Sequence, residues 1–110
     1  MRIFRFGSIA FLAIISVPRA AFCQEAGDAK NGAVYARKVC VECHAISDTQ
    51  TPPPSSKFPS FTAVENSPGM TETAVVVWLR TPHPTLPNLI VAPRDQRDLG
   101  AYIMSLRKSR

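Results

Sequence analysis

Two cysteines and a histidine fall within five residues, Cys40-Val41-Glu42-Cys43-His44, and this spacing restricts the rest of the chain more than any other feature. At the end of a helix, cysteines at positions i and i+3 place both sulfurs on one face. There they match the two vinyl groups of a haem, and the adjacent histidine can offer an imidazole nitrogen to the iron from below. C-x-x-C-H is the attachment signature of covalent c-type haem. Two other readings of a C-x-x-C pair are weaker. A zinc site normally takes four ligands, and outside the motif only Cys23 and His83 remain as strong donors. A redox-active dithiol belongs in a strand-helix-strand context, and no such pattern surrounds Cys40.

The chain has room for one domain, and three cysteines are too few for a disulfide framework. Its start has the form of a secretory signal peptide: Arg2 and Arg5, an apolar run from Ile9 to Val17, then Pro18 and small residues. The run is far shorter than the ~20 residues of a membrane-spanning helix, which counts against an uncleaved anchor. Cleavage after Cys23 fits best, with Ala21 and Cys23 as the small residues before the cut. Acylation of Cys23 is disfavoured by the bulky Phe22 beside it. The expected division is signal peptide 1–23 and domain 24–110. Arg2, Arg5 and Arg19 also account for most of the formal charge of +5. Without them ten basic residues face eight acidic ones, a balance that gives no support to nucleic-acid binding. A domain this small gains from a staple, and a covalently held haem supplies both a cross-link and an apolar body to pack around.

Residues 27–39 read as an amphipathic helix running into the motif, capped by Asp28, with Gly32 and Tyr35 on one face and Ala36 and Val39 beside them. Glycine inside a helix costs about 1 kcal/mol against alanine. Gly32 is either an ordinary surface glycine or a point of close approach. Residues 45–70 carry Pro52, Pro53, Pro54, Pro59 and Pro68 and read as loop, pinned to the core by Phe58 and Phe61. From Thr71, a good N-cap, to Arg80 the pattern predicts a short helix, although the Val75–Val77 run keeps a strand in play. A second loop, 81–92, is stiffened by Pro82, Pro84 and Pro87. Pro93 suits a first helical turn, and the last helix is expected from Arg94 to about Arg107, with Leu99, Tyr102, Ile103 and Leu106 as its apolar stripe.

Taken together, these pieces resemble a class I c-type cytochrome over nearly all of 24–110. The resemblance implies an all-α fold of three to four short helices wrapped around one covalently bound haem, its first and last helices crossing closely at Gly32. It implies that Cys40 and Cys43 carry haem c and that His44 is the proximal iron ligand. Because bacteria attach such haem outside the cytoplasm, it also implies a periplasmic or otherwise exported protein. Its expected role is to carry single electrons between redox partners such as a dehydrogenase, oxidase or reductase, without a membrane span after signal removal. No acid-base pair or nucleophile constellation suggests an enzyme.

The distal side departs from the family pattern. A methionine, usually followed by proline, binds the sixth position there, and the matching residue in this chain is Leu86, which has no lone pair. Met104 reads as packing within the last helix. Met70 would need the loop to rearrange. His83, three residues from the expected place, is a strong nitrogen donor or else a surface histidine held between two prolines. The iron is thus expected to be five-coordinate, to hold water or a weak ligand behind Leu86, or to take His83, with Met70 the less favoured distal candidate. Without a methionine ligand the potential falls below that of a Met/His site. An open iron would also suit binding or sensing of NO, CO or O2, the alternative function. A third reading is a bound subunit of a dehydrogenase or oxidase complex.

Overall fold

The computed structural model describes residues 25–50, 52, 54–86 and 88–107; the expected signal peptide 1–23 and the contribution of Pro87 lie outside the described residues. Every regular element among the described residues is a helix: α1 (Ala29–Val39), α2 (Phe61–Glu65), α3 (Glu72–Leu79) and α4 (Pro93–Ser105). The architecture of the described residues is all-α, as expected.

The capping residues set three of the four starts. Asp28 Oδ1 accepts from the backbone N–H groups of Lys30 (2.8 Å) and Asn31 (3.3 Å) and opens α1. Thr71 Oγ1 accepts from Ala74 N–H at 3.1 Å and opens α3, so the valine run is helical. Ser60 Oγ accepts from Ala63 N–H at 3.1 Å and opens α2. That last helix corrects the reading of 45–70 as unbroken loop. A single turn capped by Ser60 is enough to bury Phe61, 6% exposed. The fourth helix begins with Pro93 in its first turn and stops at Ser105, two residues short of expectation. There Leu106 N–H bonds to Ile103 O at 3.2 Å, a tighter turn that ends the α-helical ladder.

α1 crosses α4 at Gly32. A Cβ on residue 32 would stand 2.0 Å from Asp98 O and 2.8 Å from Tyr102 Cβ, so only glycine lets the two backbones meet. Around that crossing lies a core of Ala36, Ile46, Phe61, Val75, Val91, Leu99 and Ile103. Three polar side chains of α4 then tie the rest of the chain to it. Asp98 Oδ1 accepts from Asp28 N–H at 2.7 Å, Gln96 Nε2 donates to Val91 O at 2.8 Å, and Tyr102 Oη donates to Ile46 O at 2.7 Å. One helix thereby fixes the start of α1 and a point in each long loop. At its far end Arg107 pairs with the buried Glu65 of α2.

Candidate haem site

The motif hangs from the end of α1. Cys40 is the C-cap, its N–H bonded to Ala36 O at 2.9 Å, and Val41 N–H reaches the same carbonyl at 3.1 Å. Cys43 N–H and His44 N–H both return to Cys40 O, at 3.2 and 2.9 Å. The five residues therefore form one wound turn, with both thiols unpaired and half-buried. Burial, with a smaller contribution from Cys43, pushes the Cys40 thiol up to about 11. With no metal bound, this favours the protonated Cys40 thiol at neutral pH. No cluster of three or more metal-binding side chains occurs among the described residues.

His44 is fixed from two directions. Its ring lies 5.8 Å from that of Phe58 and 5.7 Å from that of Phe61, so these two aromatics pack around the imidazole. Nδ1 lies 2.6 Å from Pro59 O. A carbonyl only accepts, so Nδ1 carries the proton and donates, and Nε2 keeps its lone pair for a metal. Cys40, Cys43 and His44 line a cavity of about 310 Å³ together with Leu79, His83 and Leu86. A second cavity of about 410 Å³ shares Cys40, His44 and His83 and reaches Met70, Leu99 and Ile103. Both volumes fall within the range of roughly 300–1,000 Å³ usual for cofactor sites.

In sequence, the chain is 34% identical over 82 residues to cytochrome c-552 of Bradyrhizobium diazoefficiens, an alignment covering 74% of this chain and 78% of that protein. The chain belongs to the class I c-type cytochromes. Its cofactor is covalently attached haem c, and it is an electron carrier. No family model matches the chain, and neither does any solved structure.

The residues of this cytochrome fit that group. Two unpaired sulfurs, an imidazole with the metal-binding nitrogen left free, and apolar walls meet at the smaller cavity. On the distal side the structure separates the four residues considered from sequence. His83 faces His44, their rings 5.9 Å apart and inclined by 18°. Met70 lines the larger cavity, from the segment before α3, and not the smaller one that holds both cysteines. Leu86 lines the smaller cavity but is 47% exposed. Met104 is half-buried on α4 and lines neither. Pro59 is the functional residue that sequence reasoning missed. Its contribution is a backbone carbonyl, which every residue possesses, so no residue type could have marked it.

Proposed function

We propose that this cytochrome works in the periplasm, passing single electrons between larger redox proteins of the dehydrogenase, oxidase or reductase kind. In this reading Cys40 and Cys43 are its thioether anchors and His44 is its proximal iron ligand. The observation that carries the assignment is the bond from His44 Nδ1 to Pro59 O at 2.6 Å, which holds the ring and its tautomer beside both sulfurs. When bound, haem c supplies a one-electron iron couple. The chain's own residues anchor it, orient it and keep water from most of it.

The rim of the cavity supports the carrier role. Val39, Trp78 and Leu86 all line it and are all solvent-exposed, Trp78 to 70%. An apolar rim of this small extent suits weak, transient docking, in which a partner covers the cofactor edge and leaves again. No helix among the described residues is long and apolar enough to cross a membrane.

The test is to produce the full chain in a bacterium that attaches c-type haem and to determine its location, N-terminus and intact mass. The expected product lies in the periplasm, begins at Gln24 and carries one covalent haem. A chain recovered from the cytoplasm with its first residues intact sinks the export reading. A chain that lacks haem sinks the assignment of Cys40, Cys43 and His44.

A further inference from the structure

We infer that His83 is the sixth ligand of the haem iron, so that the metal is held between two imidazoles. The inference rests on the reading of His44 as the proximal ligand. Separation is the first support. The His44 and His83 rings are nearly parallel, with centroids 5.9 Å apart. Two metal–nitrogen bonds of about 2 Å, plus half a ring on either side, would span roughly 6 Å between centroids, so this separation leaves room for one metal ion between the two rings. His83 is also a lining residue of both cavities in which His44 takes part.

The loop that presents His83 is stiff. Pro82 fixes the backbone before it, and Pro84 holds His83 itself extended. Leu86 N–H closes the turn onto His83 O at 3.1 Å, and Leu89 N–H continues it onto Leu86 O at 2.9 Å. Gln96 then clamps the end of the loop at Val91 O. A donor held in place in this way loses little freedom on binding. The competing side chains are worse placed or cannot bind. Leu86 offers no lone pair and is half in solvent. Met70 lines only the larger cavity. His83 and Leu86 form the two ends of one turn, which lets the first take over a role the second cannot fill.

Two properties follow. The iron is low-spin and its distal side is closed, which favours electron transfer over capture of a gas. The thioether that raises the potential of a Met/His site is missing, so the potential lies lower.

The test uses holoprotein in which intact mass has confirmed covalent haem, with absorption and electron paramagnetic resonance spectra of both oxidation states. Wild type is expected to be low-spin, to lack the charge-transfer band of methionine-bound ferric haem, and to bind CO poorly when reduced. His83→Ala is expected to turn mostly high-spin and to take up CO readily, and added imidazole should return it to low-spin. Met70→Leu should match wild type. High-spin wild type, a methionine band, or a spectral change in Met70→Leu in place of His83→Ala each overturns the inference. If no covalent haem is present, the reading of the Cys40–His44 motif falls, and this inference with it. If haem is present but the iron is high-spin, this inference falls alone.

Discussion

On one side of the cavity, Cys40, Cys43 and His44 hang from four backbone hydrogen bonds that continue α1, and Pro59 braces the imidazole from across the chain. On the other side, His83 and Leu86 ride on a turn closed by one backbone bond and stiffened by flanking prolines. The first side is built into the helix crossing. The second is attached at its end by Gln96. A side chain on the first side cannot change without disturbing a helix or a covalent link. The turn on the second side can exchange one residue for another while its backbone stays in place.

Removing the anchors should disturb the proximal side most. Cys40→Ala/Cys43→Ala is expected to abolish covalent haem, read as loss of the haem mass and of the haem colour under denaturing extraction. Retention of haem through extraction would show that the thiols are dispensable. Next in size is Gly32→Ala. Alanine favours helix by about 1 kcal/mol in isolation. Here its Cβ meets the Asp98 carbonyl carbon and oxygen and the Tyr102 Cβ, two of them backbone atoms that no rotamer change can move. A net loss of roughly 3 kcal/mol is expected in denaturant unfolding of the holoprotein. A neutral or stabilising result would mean that the crossing has slack.

The distal turn should tolerate a change of ligand that the proximal turn cannot. In a His83→Ala background, Leu86→Met puts a thioether on the turn opposite His44. The expected outcome is a low-spin iron with a methionine charge-transfer band and a potential above wild type, because thioether ligation favours Fe(II). A high-spin double variant would show that the turn holds Leu86 away from the iron, in line with its 47% exposure.

What the sequence revealed follows the same division. Cys40, Cys43 and His44 were legible because their chemistry needs those residue types at that spacing, and Asp28, Thr71 and Pro93 because each acts on its own neighbours. Gly32 was legible as an anomaly, a glycine where a helix prefers any other small residue. The rest depends on long-range placement. Asp98 reaches Asp28 across seventy positions, and Pro59 contributes only a carbonyl. The facing of His83 and His44 arises from how the second loop is clamped to α4, and no local pattern encodes that.

Tyr102 supplies the smallest test. Its place on the apolar stripe was readable, but its hydroxyl partner was not. That hydroxyl donates to Ile46 O at 2.7 Å and ties the segment leading to Phe58 and Pro59 against α4. Tyr102→Phe keeps the ring and its edge contact with Phe61, 6.3 Å between centroids, and removes only the donor. The Ile46 carbonyl, on a residue 6% exposed, then loses this donor. A loss of about 1–2 kcal/mol is expected in unfolding. The haem spectrum should stay unchanged, because Pro59 is also held by the capped turn that follows it at Ser60. If stability moved by less than about 0.5 kcal/mol, the size of an ordinary surface substitution, the bond would carry nothing. If the spectrum moved instead, Tyr102 would belong to the bracing of His44, and the proximal side would be less self-sufficient than its backbone bonds imply.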